Sequence, residues 1–231
     1  MKNLKEFYIL GLPIDTPFGK CHFVKVKEYP DFLIYQNLLS ISKDKILSIH
    51  KQQGYNIDEI KDELSLFAWI CLIPDFRIMY GELFDFVFKE KGVFDKIETE
   101  EDFYSIRQLI MDMNCIKEEK EIKNPELKAW LEKGRELKAG DNPIYFEDIV
   151  SSIVAYTGHT YEQVNEMTLY QLYMTFNRIA QLINYDTSTL FATVSTEKIN
   201  IESWCKHIDF NVEKEEGMSR EKFEKLRKSI M

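Results

Sequence analysis

Glycine and proline are scarce in this chain, at nine and six among 231 residues. That scarcity argues against a turn-rich β sandwich, whose short strands need frequent punctuation. Cysteine is scarcer still. Cys21, Cys71, Cys115 and Cys205 lie far apart, which argues against a disulfide framework and fits the reduced thiols of a cytoplasmic protein. Long apolar runs are missing as well. The most apolar stretch, residues 64–73, is far shorter than the ~20 residues a bilayer span requires. Near the start, the apolar run at 7–12 breaks at Pro13 without a small-residue cleavage site, so no signal peptide is expected. No basic stripe offsets the formal net charge of −9. Nucleic acid is therefore not an expected partner, because phosphate neutralisation supplies most of that affinity.

What the chain does have is apolar and aromatic mass. A hydrophobic content of 45% with 13% aromatics excludes general disorder, since enough area can be buried to offset ordering entropy. We expect a mostly α fold. Residues 1–116 read as a helical N-terminal domain with a possible short β element, and 117–142 as a charged connector. A smaller helical C-terminal domain follows at 143–210, then a loosely attached tail at 211–231.

Local signals place the elements. Cys21, Phe23 and Tyr29 bracket lysines in an alternating stretch that predicts a strand over 21–27. Pro30 opens a helix through Leu39, with Asp31 in its first turn. Ser42 can cap a second helix carrying Ile46, Leu47 and Ile49, stopped by Gly54. Asn56 with Glu59 predicts a third, carrying Ile57, Ile60, Leu64, Phe67, Ala68 and Cys71, with an end at 67–73 that is apolar all round. Pro74 starts a fourth with Phe76, Tyr80, Leu83, Phe84 and Val87. Thr99 followed by Asp102 starts a fifth with Phe103, Ile106, Leu109, Ile110 and Met113. Beyond Pro143, residues 146–156 predict a helix ended by Gly158 at its C′ position. Thr160 with Gln163 then forms a capping box for the next one. From Ser219 onward only Phe223, Leu226 and Ile230 give the tail an apolar side.

Chemical constellations at useful spacing are lacking. Cys205 and His207 with Cys21 and His22 could supply four zinc-type ligands, but the spacings are wrong for a structural site. Cys21 as a nucleophile with His159 or His207 has no orienting motif. Gly11, Gly19 and Gly54 make no phosphate-binding loop. Asp58, Asp62 and Glu63, interleaved with Lys61, read as a solvated helix face. No enzymatic activity, metal or cofactor is expected.

The densest pattern lies at 160–207. Thr168 is a good N-cap, Gln171 completes a capping box, and Met167 can staple onto Leu172. Leu169, Leu172, Tyr173, Phe176, Ile179, Ala180 and Ile183 then recur at helical spacing. A break is expected at 184–186, with Asp186 capping one more short helix at 187–194. The run Tyr161-Glu-Gln-Val-Asn-Glu-Met-Thr-Leu-Tyr-Gln-Leu-Tyr173, then Arg178-Ile-Ala-Gln and Tyr185-Asp-Thr-Ser-Thr-Leu-Phe191, resembles the C-terminal half of tail assembly chaperones. These occur in phages and phage-like, prophage-derived tail particles of Gram-positive bacteria. The closing Ile201-Glu-Ser-Trp204, and Pro17-Phe-Gly19 with Phe23-Val-Lys-Val-Lys-Glu-Tyr29, are similar to the same family.

This resemblance implies a non-enzymatic chaperone that binds the tape-measure protein and keeps it soluble until tail tube subunits polymerise around it. The tail tube protein is a further candidate partner, a homo-oligomer is possible, and the host cytoplasm is the expected location. The alternative is a structural tail or baseplate component retained in the particle. Candidate partner contacts within the matched run are Tyr170, Tyr173, Arg178, Tyr185 and Asp186. Core packing competes for the tyrosines, and a surface or interhelix salt bridge competes for Arg178.

Overall fold

The computed structural model describes residues 4–43, 45–47, 64–118, 144–196 and 199–210. Helix α1 (Leu4–Leu10) opens the chain and is turned by Gly11 at φ 65. Glycine is required there. A Cβ would stand 3.0 Å from Thr168 Cγ2, and the backbone angle itself disfavours any larger residue.

A hairpin follows. Strands β1 (Ile14–Thr16) and β2 (Gly19–Cys21) pair antiparallel, with Ile14 opposite Cys21. The strand expected over 21–27 is thus misplaced: the ladder ends at Cys21. Cys21, Phe23, Val24 and Val26 are all buried, so the chain is enclosed on both sides and its alternation is lost. Its peptide groups find partners elsewhere. Val24 N–H donates to Asn114 Oδ1 at 3.2 Å. Leu169 N–H donates to the Val24 carbonyl, and Val26 N–H to the Met167 carbonyl, both at 2.9 Å.

Helix α2 (Tyr29–Ser40) carries Pro30 in its first turn, one residue after its start, and buries Phe32, Leu38 and Leu39. Ser42 Oγ accepts from Lys45 N–H at 3.4 Å at the head of a helical turn through 47. The predicted stop at Gly54, the start at Asn56 and the acidic face around Asp58 lie outside the described residues. Helix α3 (Leu66–Leu72) corrects the third predicted helix. Ser65 is extended and its Oγ accepts from Ala68 N–H at 3.1 Å, so a new helix begins there and Leu64 precedes it. Its apolar end is not buried all round, because Leu72 is exposed. Helices α4 (Pro74–Phe88) and α5 (Glu100–Met113) begin at the predicted Pro74 and Thr99. They enclose an aromatic cluster in which Tyr80 meets Phe103 at 5.4 Å and Phe84 meets Phe94 at 5.5 Å. Arg107 is buried among them, donating to the Leu39 carbonyl at 2.6 Å and to Glu118 at 3.2 Å. The predicted connector lies outside the described residues from 119 to 142.

Helix α6 (Phe146–Thr157) ends at Gly158, φ 75, as predicted. The short α7 (Tyr161–Asn165) and long α8 (Leu169–Val194) both carry the expected capping boxes. The break predicted at 184–186 does not occur, and Asp186 is interior to α8 rather than a cap. Asn and Asp cost only a few tenths of a kcal/mol inside a helix, while extending an existing helix needs no new nucleus. No glycine or proline intervenes to stop it. Helix α8 packs on α6 and on α1. A single apolar cluster takes in Tyr8 and Phe23, Phe84 and Phe103, and Ile153, Leu169 and Leu172. The fold is mostly α with one small two-stranded sheet, and no helix among the described residues is long and apolar enough to cross a membrane.

Candidate functional site

Helix α8 organises the site. Its start is fixed by reciprocal bonds: Gln171 N–H to Thr168 Oγ1 at 3.1 Å, and Thr168 N–H to Gln171 Oε1 at 2.9 Å. Gln171 has a second task. Its Nε2 donates to the Ile9 carbonyl at 2.9 Å and hooks the end of α1 onto α8.

The opposite wall is the segment 199–210, which returns along α8 as a strap. Arg178 holds it. Its Nη1 donates to the carbonyls of Trp204 at 2.7 Å and Lys206 at 3.0 Å, as well as to Gln181 Oε1 at 2.7 Å. Lys5 of α1 binds Asp209 at 3.0 Å, and Phe210 sets its ring edge-on to Tyr170 at 5.6 Å.

Between α1, α8, the end of α6 and this strap lies an open groove of about 600 Å³. Its lining is mainly apolar: Ile9 from α1, Tyr156 from α6, Met174, Ile179 and Leu182 from α8, and Ile208 from the strap. Lys5, Arg178 and His207 sit along it, with Glu6 as the one carboxylate among the described lining residues. In a chain of net charge −9 that rim is unusual, although Lys5 is already paired with Asp209.

The predicted contact residues divide. Tyr170 and Arg178 both line the groove. The Tyr170 ring is buried, edge-on to Tyr8 at 5.4 Å. Tyr173 is half-buried on another face, and desolvation pushes its hydroxyl up to about 12. Tyr185 and Asp186 lie further along α8, half-buried and exposed respectively, away from the groove lining. Among the described residues Arg178 does not form the salt bridge considered for it; its partners there are carbonyl oxygens. The apolar stripe reads correctly at Leu169, Leu172 and Ile179, whereas Ala180 and Ile183 face solvent. Ile9 and Ile208 could not be found by spacing, because they reach the groove from opposite ends of the chain.

Cys21 is buried and desolvation pushes its thiol up to about 12, so little nucleophilic thiolate forms at neutral pH. Cys205 is exposed near Ser203. Among the described residues, no three His, Cys, Asp or Glu side chains group as metal ligands would.

Residues 2–123 match the family model of the YomV N-terminal domain, and residues 137–209 that of the YomV second domain. The chain is 36% identical over 223 residues to the SPbeta prophage-derived uncharacterized protein YomV of Bacillus subtilis (strain 168), covering 94% of this chain and 93% of that relative. No solved structure matches.

Proposed function

This chain belongs to the prophage-associated YomV family, and from that premise we propose that it is a non-enzymatic tail assembly chaperone. Its client is the tape-measure protein, a long helical chain whose apolar stripe aggregates when uncovered, and it acts in the host cytoplasm. The observation that carries this reading is the open apolar groove beside α8, in the part of the chain that resembles such chaperones. A groove walled by three helices and a strap suits an amphipathic helix laid along it. The acid surplus of the whole chain discourages the clumping of clients held together.

Co-expression tests it. Tape-measure protein made alone should be largely insoluble, and this chain should raise its soluble fraction and be recovered with it. Ile9→Lys, which puts a charge on an exposed groove residue, should lower that rescue without altering the circular dichroism. Because apolar contact drives the complex, it should survive moderate salt, where charges are screened beyond about 10 Å. No effect on solubility, with this chain incorporated into finished particles, would support the structural-component reading instead.

A further inference from the structure

A second feature of α8 is independent of the groove and does not rest on the chaperone reading. Helix α6 stops at Gly158, but α8 continues to Val194. From residue 183 onward no residue of α8 is buried, so the last three turns stand free of the body. This arm is apolar along one side. Ile183 is 50% exposed, Leu190 67%, Phe191 58% and Val194 75%. The spacings of seven, one and three residues put all four on one face, with Thr187 between them. That face prolongs the seam of Leu172, Phe176 and Ile179, beyond the point where α6 can cover it.

The composition of the arm identifies what covers it. In a chain that is 30% charged, residues 183–194 contain one charged side chain, Asp186, and it lies off the apolar stripe. A surface that meets its own copy about a two-fold axis brings patch against identical patch, so a patch of low net charge pairs with itself at least electrostatic cost. The remainder of the molecule, at −8 once Asp186 is set aside from the total of −9, would repel a second copy; the arm is the place where that repulsion is weakest. The stripe is also self-complementary. Antiparallel pairing centred between Ser188 and Thr189 brings Ile183 of one arm to Val194 of the other, and Leu190 to Thr187.

We propose that the arm, residues 183–194, is a homotypic interface through which two copies of this chain pair as antiparallel helices. The paired arms span about 18 Å, a short interface, so the dimer is reversible and concentration-dependent.

Sedimentation of the full chain across a concentration series reads this directly. The wild type should pass from monomer to dimer as concentration rises. Leu190→Lys, on a residue already in solvent, should leave the circular dichroism unchanged and weaken dimerisation about a hundredfold or more. Mixing Leu190→Lys with Thr187→Glu should restore association between the two variants, because the register places those positions together. A wild-type chain that stays monomeric throughout overturns the proposal, as does a dimer that survives Leu190→Lys. Protection of the arm from hydrogen exchange only when tape-measure protein is added would also overturn it, and would give the stripe to that partner.

Discussion

Leu172 and Phe176 sit one turn apart on the same side of α8, yet their substitutions should differ. Leu172 is fully buried, whereas Phe176 is only partly covered. In urea denaturation Leu172→Ala should cost about 2–5 kcal/mol, and Phe176→Ala should fall below the ~3–5 kcal/mol of a fully buried phenylalanine. Arg107 is the residue that apolar periodicity could not flag. It is a cation inside the N-terminal core, kept there by the Leu39 carbonyl and Glu118. Arg107→Ala should cost at least about 2 kcal/mol by urea denaturation, because a cavity and an orphaned carbonyl act together. Arg178 works at the surface. Arg178→Ala should leave the helical signal intact while speeding tryptic cleavage after Lys206, since the strap loses the fork that binds its carbonyls.

At the scale of elements, the join between the hairpin region and α8 has an electrostatic clasp. Glu166, just before α8, binds Lys25 at 2.6 Å and also Lys27. The hydrogen bonds from Lys25 and then Lys27 hold its carboxyl down at about 2, well below its ordinary value. A depressed carboxylate contributes stability that is fully present above the unfolded value and is lost as pH falls through the folded one. The contribution should therefore fade between about pH 4.5 and 2. Glu166 is exposed, so the effect should be small and salt-sensitive. Wild type should exceed Glu166→Gln in stability at neutral pH and low salt, and the difference should close across that acid window; a constant offset at every pH would assign the loss to packing. Elements announced by local chemistry were legible in the sequence: Pro30, Pro74, Thr99, Gly158, Thr160 and Thr168 all mark the boundaries they promised. Ser65 carried such a signal too, but the apolar run through it suggested an unbroken helix. The strand at 21–27 misread a stretch whose backbone partners, Asn114, Met167 and Leu169, are distant in sequence. The groove was half legible for the same reason. Tyr170 and Arg178 belong to one periodic helix, but Ile9 and Ile208 meet it only through the tertiary fold.

For the whole molecule, the decisive fact is that the apolar cluster is continuous across both halves of the chain. Tyr29 stacks on Phe146 at 3.8 Å, Tyr8 and Phe23 close around Tyr170, and the Val24 carbonyl accepts from Leu169 N–H. Helix α8 alone has too little covered surface to hold its partners: without α1 and the hairpin region, Leu169 and Tyr170 lose their cover, and the Leu169 N–H loses its acceptor. Secondary structure in such helices comes mainly from packing of an apolar face, not from intrinsic propensity. Heat should therefore unfold the described body in one transition, seen alike by circular dichroism and by tyrosine fluorescence. Residues 143–231 expressed alone should show reduced helicity and no sharp melt, and adding residues 1–116 should restore both. If the fragment instead melts cooperatively at the temperature of the full chain, the two halves are energetically independent and the contacts at Tyr29, Val24 and Tyr170 add little. The linked outcome also bears on assembly, because the groove needs α1 from one half and α8 from the other. A client that binds there should raise the melting temperature of the whole chain by mass action, with no separate transition for either half.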